Sequence, residues 1–409
     1  MNPANPKSGT SELASILAVD DTPANLQVLA GMLKDRGYRV RPVPSGKLAL
    51  AAAHRDPPDL ILLDINMSEI NGYEVCEHLK ADAVLRKISV IFISALTEPL
   101  DKMKAFATGG VDYLTKPFQI EELHARVETH LKLRRLQVEL EQTNARLERA
   151  NSRMSRDLKA ATKIQQSFLP RAAPGIEGAK FAWGYQPCDE LAGDGLNIIP
   201  LGEGKVGLYV MDVSGHGVAA ALLSVTLSRF LSPPSEPSSI LIQHRHVGDR
   251  LDFTPPAEVA DRLNRLFPYD AATEQFATLL YGVLDVSTGD FHHVSAGHPG
   301  PIHLPMGEPP RILESLGFPI GLAEEPYGEL GVRLSAGDRL YLYSDGIPDA
   351  MNPSGERFGD ARLLEAISRL RVEPLDQGIA ALLSEVSRWP GGEKPQDDIS
   401  ILAIEVGPG

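Results

Sequence analysis

One uninterrupted segment near the middle of this 409-residue chain constrains its fold more than any other feature. Residues 131–169 contain neither glycine nor proline. Apolar or small residues recur there at steps of three and four, namely Leu133, Leu136, Leu140, Thr143, Leu147, Ala150 and Met154. That spacing predicts a long helix with a coiled-coil seam. Since the chain is also far longer than a typical domain of ~150 residues, we expect two domains joined by a helical linker over residues 131–170.

The seam favours a parallel homodimer, although an antiparallel pairing or a helix docked within its own chain also fits the pattern. The step of four occurs twice in succession after Ala150, to Met154 and then to Leu158. Such a stutter locally unwinds a supercoil. We therefore expect the end of the linker to act as a switch helix that can pack in two ways.

Composition excludes several classes of function. Forty Lys and Arg against fifty-four Asp and Glu give a net charge of −14, which disfavours a nucleic-acid partner. The only cysteines, Cys76 and Cys188, cannot form a disulfide framework and predict a cytoplasmic location. No apolar run is long enough to cross a bilayer, so we expect no membrane association. The polar start predicts a flexible N-terminus over residues 1–13.

Short apolar runs alternate with helix-like stretches in residues 14–130. Ile16–Val19, Leu60–Leu63 and Val90–Ile93 have the character of buried strands, and the stretches between them carry apolar residues at helical spacing. This alternation is typical of a parallel sheet covered by helices on both faces. We predict a doubly wound, flavodoxin-like α/β domain.

Acidic residues stand at the carboxyl ends of these predicted strands. Asp20 and Asp21 follow one strand and Asp64 follows another, so the three should meet at the ligand-binding edge of the sheet. Carboxylates about 4 Å apart repel by roughly 4 kcal/mol at an effective dielectric near 20. The cluster therefore needs a cation, and Mg²⁺ is expected because it prefers hard oxygen ligands. Ser94 and Lys116 reach the same edge, and the group suits phosphorylation of Asp64.

Four motifs of this half resemble the receiver domain of bacterial response regulators. They are Val19-Asp20-Asp21, Leu63-Asp64-Ile65, Ser94-Ala95 and the run DYLTKPF over residues 112–118. By this resemblance a histidine kinase donates a phosphoryl group to Asp64. The receiver switch that responds consists of Ser94, Tyr113 and Lys116. The family usually has a proline shortly after the phosphorylated strand, where this chain has Ser68.

The chain beyond residue 170 has a different texture. Its clearest strand runs are Val206–Met211, Thr278–Val286, Phe291–Val294, Arg339–Tyr343 and Ile399–Val406. Two helix candidates, Gly217–Phe230 and Pro256–Phe267, interrupt them. The stretch Leu231–Pro255 is rich in proline and serine and predicts a mobile surface loop. We expect a layered α+β domain over residues 171–409.

Acidic residues of this second half lie beside glycine or at strand ends. Asp194, Asp212 and Asp345 lie in glycine-containing motifs, and Asp397 and Asp398 precede the last strand run. Oxygen ligands without a cysteine or histidine set indicate Mg²⁺ or Mn²⁺ rather than Zn²⁺. Two such ions can activate water for in-line attack on phosphorus, so phosphomonoester hydrolysis is the expected chemistry.

Seven motifs in order resemble the metal-dependent protein phosphatases of the 2C class (PP2C), and more narrowly their bacterial SpoIIE/RsbU branch. They are IQQSFLP (164–170), AGD (192–194), DVSGHG (212–217), FATL (276–279), AGHP (296–299), SDG (344–346) and DDI (397–399). The resemblance implies a four-layer αββα sandwich. Ala192 and Asn197 stand where the family usually has glycine and often has aspartate.

The resemblance also implies ligands for two Mn²⁺ or Mg²⁺ ions. Asp194, Asp212 and the carbonyl of Val213 would hold one ion, and Asp212, Asp345 and Asp397 the other. The same four aspartates form the expected catalytic set. Asp398 is a further candidate ligand, because an adjacent pair of acids leaves open which carboxylate points inward. His216 fits either a general acid or a loop-shaping residue, and His298 favours a structural role.

We therefore expect a two-component response regulator in which phosphorylation of Asp64 controls removal of phosphate from serine or threonine of a partner protein. The resemblance suggests a phosphorylated anti-sigma-factor antagonist, a small STAS-domain protein, as the substrate. A non-catalytic adaptor that grips a sigma factor or an anti-sigma protein is the alternative, and the complete acidic set counts against it. The negative charge and the lack of a basic recognition helix disfavour a nuclease or DNA-binding output.

Overall fold

The computed structural model describes residues 13–95, 99–243, 252–269, 271, 274–392 and 394–407. Nearly all of the expected flexible N-terminus, residues 1–13, lies outside the described residues. Contacts between residues divide the chain into two compact units, Met1–Asn151 and Ser152–Gly409. This division falls inside the predicted linker, whose finer boundaries stay predictions.

The first unit is a five-stranded sheet with helices on both faces. Its strands are β1 (Ser15–Val19), β2 (Arg39–Val43), β3 (Leu60–Asp64), β4 (Ser89–Ser94) and β5 (Asp112–Thr115), in the order β2-β1-β3-β4-β5. Neighbouring strands are parallel throughout. The helices are α1 (Pro23–Lys34), α2 (Gly46–Arg55), α3 (Gly72–Ala81), α4 (Pro99–Ala107) and α5 (Ile120–Gln166). The predicted doubly wound fold is confirmed.

Burial on both faces explains why the central strands are continuously apolar. Every residue of β3 is buried, as expected for a strand covered by helices on each side. Leu29 of α1 and Leu123 of α5 belong to the core on one face. Ala49 of α2 and Leu79 of α3 belong to the core on the other. The sheet edge that carries the acidic residues is therefore built on a rigid base.

The helix α5 is 47 residues long and begins before the predicted linker. It extends from the first unit into the second, because the division between the units falls at residues 151 and 152. The large apolar side chains of the predicted seam are all more than half exposed, namely Leu133, Leu136, Leu140, Leu147 and Met154. The seam is thus an apolar stripe along an otherwise polar helix.

The second unit contains two antiparallel five-stranded sheets. One sheet has the order β15-β12-β11-β8-β7, and the other has the order β14-β13-β16-β17-β6. A two-stranded sheet pairs β9 with β10. The strands are β6 (Ala179–Gln186), β7 (Gly195–Gly202), β8 (Lys205–Val213), β9 (Ile242–Gln243), β10 (Asp252–Phe253), β11 (Ala277–Asp285), β12 (Asp290–Ala296), β13 (Ile302–Leu304), β14 (Arg311–Ile312), β15 (Leu330–Arg333), β16 (Arg339–Tyr343) and β17 (Ile399–Val406).

Four helices cover the outer faces of these sheets. They are α6 (Val218–Phe230), α7 (Pro256–Leu266), α8 (Gly359–Arg369) and α9 (Leu375–Arg388). Alternate residues of β8 face opposite sides, so Leu208 lies in the core between the sheets while Tyr209 packs with α6 and α7. Tyr341 of β16 packs with α8 and α9. The predicted αββα sandwich is confirmed.

The prediction that Leu231–Pro255 is a mobile surface loop is wrong for the described residues on either side of 244–251. Leu231, Leu241 and Thr254 are fully buried, and Ile242 pairs with Phe253 across β9 and β10. Leu231 and Leu241 anchor the segment in the core. The nine residues between them are serine, proline and glutamate except for Ile240, a pattern without strand or helix periodicity. Residues 244–251 lie outside the described part of the chain. The helices α8 and α9 were not among the helix candidates predicted from the sequence, although both carry buried apolar residues at helical spacing.

Candidate functional site

The acidic edge of the first unit forms as the sequence predicts. Asp20, Asp21 and Asp64 each place one carboxylate oxygen so that the three oxygens lie within 4.8 Å of one another. Asp20 and Asp64 are buried, and Asp21 is half-buried. The cluster lies beyond the ends of β1 and β3, which are paired in parallel register. Three oxygens at this spacing fit a hard divalent cation such as Mg²⁺.

Lys116 is the cation that the chain itself supplies to this cluster. Its Nζ donates to Asp20 Oδ2 at 2.7 Å and to Asp64 Oδ1 at 2.8 Å. The pKa of Lys116 is raised overall. Burial lowers this pKa, but the hydrogen bonds to Asp20 and Asp64 together raise it by more. Burial raises the pKa of Asp64, and the charges of Asp20 and Asp21 add to that rise while Lys116 opposes it. One ammonium thus holds Asp64 beside the cation site.

Ser94 and Tyr113 occupy the buried positions next to this cluster. Ser94 ends β4 and is fully buried, and its carbonyl accepts a hydrogen bond from the backbone N–H of Lys116 at 2.8 Å. Tyr113 lies on the neighbouring strand β5 with its ring 6% exposed, and Lys102 Nζ lies 5.7 Å from the ring centroid. Both residues therefore lie along the strands that adjoin the Asp64 edge.

The second unit brings its four predicted aspartates together from both sheets. Asp194 directly precedes β7 and Asp212 lies in β8, so these two come from one sheet. Asp345 follows β16 by two residues, and Asp397 precedes β17 by two, so these come from the other sheet. Asp194 is only 2% exposed, Asp212 and Asp345 are half-buried, and Asp397 is exposed. The acids thus range from the interior to the surface.

The electrostatics identify Asp212 as the centre of this group. Its pKa is raised to about 7 by burial and then by the carboxylates of Asp345 and Asp397. The pKa of Asp194 lies well above its ordinary value, through burial and then through Asp212. Asp194 Oδ2 is buried and has no hydrogen-bond partner among the described residues. Among the described residues, only Asp20, Asp21 and Asp64 place three ligand atoms within 4.8 Å of one another. The acids of the second unit are close enough to raise one another's pKa, and they offer the hard oxygen ligands that Mg²⁺ and Mn²⁺ prefer.

Two glycines allow backbone to approach this group closely. A Cβ at Gly193 would lie 2.6 Å from the carbonyl oxygen of Val213 and 3.5 Å from Asp212 Oδ1. The Val213 carbonyl therefore lies beside the segment that carries Asp194, as the proposed ligand set requires. A Cβ at Gly346 would lie 2.0 Å from the carbonyl oxygen of Asp398. Larger residues at these positions would separate the strand ends that carry the acids.

Asp398 has contacts that distinguish it from Asp397. It is 3% exposed. Its Oδ1 accepts a hydrogen bond from the backbone N–H of Cys188 at 2.8 Å, and its Oδ2 accepts one from Gly193 N–H at 2.7 Å. Both oxygens are therefore engaged in holding the segment that leads into Asp194. These contacts favour a loop-positioning role for Asp398 over direct metal binding, and they leave Asp397 as the acid facing the group.

Sequence reasoning overlooked two other residues of this region. Gln165 is 7% exposed near the end of α5, and its side chain donates to the Ala192 carbonyl at 2.6 Å and accepts from Ala192 N–H at 3.2 Å. Gln165 lies within the motif IQQSFLP, but the spacing of apolar residues along this helix predicted only a coiled-coil seam. Asp349 adds negative charge beside Asp345 and Asp397. It pairs with Arg357 at 2.9 Å, and three residues separate it from Asp345, the nearest motif acid.

Family comparisons agree with this architecture. A family model for Stage II sporulation protein E (SpoIIE) matches residues 202–407, just over half of the chain, and a model for the response regulator receiver domain matches residues 16–128. The chain therefore belongs to the SpoIIE family and carries a receiver domain ahead of its SpoIIE domain. The predicted combination of a receiver with a SpoIIE/RsbU-type PP2C domain is confirmed.

Two curated relatives match just under a third of the chain, and another matches 61% of it. A "Probable cyclic di-GMP phosphodiesterase" of Vibrio cholerae is 41% identical over 121 residues, 30% of this chain and 27% of that protein. "Response regulator PleD" of Caulobacter vibrioides is 40% identical over 132 residues, 32% of this chain and 29% of that protein. "Protein IcfG" of Synechocystis is 28% identical over 266 residues, 61% and 41% of the two chains. The chain thus spans less than half the length of these relatives.

A solved structure shows the same fold for the second half. The SiaA-PP2C domain of Pseudomonas aeruginosa superposes with a TM-score of 0.51 at 22% identity, over 63% of this chain and 98% of that domain. PP2C-type domains imply divalent Mg²⁺ or Mn²⁺ ions. Within the described part of the chain, every helix is too short or too polar to span a bilayer.

The contacts of the adjacent acids predict that their amide variants differ in folding. In the wild-type protein, backbone N–H groups donate to both carboxylate oxygens of Asp398. In Asp398→Asn, the amide N–H₂ lies against one of these N–H groups, so a donor faces a donor. We expect a loss of about 1–3 kcal/mol in the free energy of unfolding, measured by urea denaturation in EDTA. Asp397→Asn is the control, and it should change that free energy by no more than about 0.5 kcal/mol. Equal losses in the two variants would contradict the assignment of Asp398 to loop positioning.

Proposed function

We propose that this protein is a response regulator whose output is metal-dependent removal of phosphate from serine or threonine of a partner protein. The observation that carries this proposal is the position of Asp212, whose raised pKa reflects burial and the carboxylates of Asp345 and Asp397. Asp194 lies near Asp212, whose charge is the second cause of the raised pKa of Asp194 after burial. This arrangement supports one cation between Asp194 and Asp212 and a second among Asp212, Asp345 and Asp397.

The residues of the site have separate tasks in this proposal. Asp194 and Asp212, with the carbonyl of Val213, hold one ion, and the acids of the second sheet hold the other with Asp212. When bound, such ions lower the pKa of a water molecule and neutralise charge on phosphate oxygens. The exposed Asp397 leaves the outer side of the group open to a protein substrate. His216 is also exposed, four positions after Asp212, and is a candidate for a general acid or a loop-shaping residue.

The substrate proposed from family membership is a phosphorylated STAS-domain anti-sigma-factor antagonist. SpoIIE-type domains act on phosphoproteins, and the open, acidic mouth of the site suits a phosphoserine on a protein surface rather than a buried small molecule. The cytoplasmic location expected from the two separated cysteines belongs to this proposal as well.

Catalysis is tested at Asp345, a proposed ligand of the second ion. Wild-type protein should release phosphate from a phosphorylated STAS-domain protein only with Mn²⁺ or Mg²⁺, and Asp345→Asn should slow release at least about a hundredfold, because one ion loses a charged ligand. Release is followed as inorganic phosphate. Asp376→Asn, the same change at an exposed position on α9, should keep the wild-type rate. Equal rates for wild type and Asp345→Asn would leave only the adaptor function.

The receiver is proposed to accept phosphate from a histidine kinase at Asp64, with Mg²⁺ held by Asp20, Asp21 and Asp64. Lys116 Nζ already donates to Asp64 at 2.8 Å, so it can pair with a phosphoryl oxygen in place of the carboxylate. Ser94, Tyr113 and Lys116 then form the proposed switch. Their placement on β4 and β5 and just beyond supports this, because β4 pairs with the strand that ends at Asp64 and β5 pairs with β4.

The helix α5 offers a physical route from the receiver to the metal ligands. Thr162 Oγ1 donates to the carbonyl of Glu190 at 2.7 Å, and Gln165 pairs with both backbone groups of Ala192. The loop between these contacts leads directly to Asp194. A rotation or shift of the helix end would therefore move the deepest acid of the site, which makes the end of α5 the proposed two-state element.

This coupling is tested with an acyl-phosphate mimic. Treatment with beryllium fluoride should change the phosphate-release rate about fivefold or more, and Asp64→Asn should abolish the change. Gln165→Ala should also abolish most of it, because the clamp on Ala192 is lost. Gln166→Ala, at the exposed neighbouring position, is the matched control and should respond as wild type does. An identical response in Gln165→Ala and Gln166→Ala would show that the clamp transmits nothing.

The exposed apolar stripe of α5 supports a homodimer through a coiled coil. Leu140 and Leu147 are 61% and 62% exposed, and a second copy of the helix would cover both. Leu140→Glu with Leu147→Glu should halve the mass measured by light scattering while circular dichroism keeps its helical signal. Gln142→Glu adds one glutamate at an exposed position off the seam and should leave the mass unchanged. A seam variant with wild-type mass would contradict the dimer.

A further inference from the structure

A buried histidine connects the two sheets of the second unit at the end that carries the acids. His298 is 2% exposed and follows β12 by two residues. Its Nδ1 lies 2.7 Å from Thr278 Oγ1, on β11 of the first sheet. Its Nε2 lies 3.0 Å from the carbonyl oxygen of Tyr343, the last residue of β16 in the second sheet. One side chain therefore bonds to both layers of the sandwich.

The partners of His298 determine its protonation state. A carbonyl oxygen can only accept, so Nε2 carries the hydrogen and donates it to Tyr343. Burial lowers the pKa of His298 to about 4, so the ring is neutral near pH 7 and Nδ1 is an acceptor. The hydroxyl of Thr278 then donates to Nδ1. The result is a directed chain of two hydrogen bonds from one sheet to the other.

Each end of this chain adjoins a strand position that carries a proposed metal ligand. Thr278 is the register partner of Asp212 across β11 and β8. Tyr343 lies two residues before Asp345. The bridge from Thr278 to Tyr343 therefore crosses between the same two sheets as Asp212 and Asp345. It lies beside the strand positions that carry these two acids.

The backbone of His298 is itself held in place. Its carbonyl oxygen accepts hydrogen bonds from Ser295 Oγ and Ser315 Oγ, each at 2.6 Å. The preceding Gly297 has φ +68°, and a Cβ there would lie 2.5 Å from Pro319, so only glycine fits the turn that presents the imidazole. These contacts fix the donor and the acceptor of the ring relative to both sheets.

We propose that His298 is a positioning residue that sets the separation of Asp212 and Asp345 by joining their strands through Thr278 and Tyr343. This inference rests on the proposed function, because it assumes that the two acids share a cation. Metal–oxygen distances tolerate changes of only about 0.2 Å. Without a cation the two carboxylates repel, and a bond across the gap between their strands resists that repulsion.

Three variants divide the bridge into its two halves. His298→Gln can keep a donor towards Tyr343 but loses the acceptor for Thr278, whereas His298→Asn can keep that acceptor and loses the donor. Thr278→Val removes the hydroxyl with little change of shape. We expect each to weaken Mn²⁺ binding to the second unit about tenfold. The measurement is calorimetry, well below the melting temperature, on full-length protein that carries Asp64→Asn to disable the cation site of the receiver. Because His298→Gln and Thr278→Val break the same bond, their double variant should bind no more weakly than either alone.

A second buried histidine gives the control. His303 on β13 is 3% exposed and bonds to Asp338 at 2.9 Å, away from the strand ends that carry the acids. His303→Gln should lower the melting temperature without changing Mn²⁺ affinity. Long-range ¹⁵N spectra of wild type should show His298 with hydrogen on Nε2 at pH 7. If the His298 variants fail to fold, Thr278→Val carries the test alone.

The outcomes separate this inference from the function on which it rests. Wild-type Mn²⁺ affinity in folded Thr278→Val and His298→Gln would overturn the positioning role, even with full phosphatase activity in the parent protein. Tenfold weaker binding in those variants would support it, even if the parent protein released no phosphate and the catalytic proposal failed. Absence of Mn²⁺ binding in the parent protein would overturn both.

Discussion

The repulsion between carboxylates drawn from two sheets governs the second half of this protein. Unit charges about 4 Å apart repel by roughly 4 kcal/mol at an effective dielectric near 20, and the raised pKa values of Asp194 and Asp212 record the cost of placing such groups inside the fold. A protein with a net charge of −14 has little surplus positive charge to offset it. The fold must hold these acids together until a cation neutralises them.

The sandwich meets this requirement with strands and backbone hydrogen bonds rather than with basic side chains. Asp194 and Asp212 come from one sheet, and Asp345 and Asp397 from the other, so each pair is held by its own ladder. Asp398 accepts backbone hydrogen bonds from Cys188, Gly193 and Asp194, which hold the segment that leads into Asp194. The receiver solves the same problem differently, because Lys116 lies between Asp20 and Asp64 and supplies a positive charge directly.

The position of α5 links these two chemistries. The helix starts in the core of the receiver, where Leu123 is fully buried, and reaches Gln165 beside the loop that leads to Asp194. Its central part exposes an apolar stripe that a second chain can cover. The proposed phosphorylation site Asp64 and the proposed metal ligand Asp194 lie in units that share the helix α5.

The sequence predicted the fold class well because its signals are local. Continuous apolar runs such as Leu60–Leu63 identified buried strands, and acids at their ends identified both clusters. The role of Asp398 could not be read from the sequence, since Asp397 and Asp398 are chemically identical and only the position of Cys188 and Gly193 distinguishes them. The clamp of Gln165 on Ala192 and the burial of Leu241 depend on contacts between distant segments, for which periodicity gives no signal.

Anomalous X-ray scattering at the manganese edge, from crystals grown with Mn²⁺, tests the central claim most directly. The account predicts two adjacent peaks in the second unit, with carboxylate oxygens of Asp194, Asp212, Asp345 and Asp397 at coordination distance and Asp212 contacting both. Asp398 should remain bonded to the backbone of Cys188 and Gly193. No manganese peak at this group, with the acids turned towards solvent, would contradict the account.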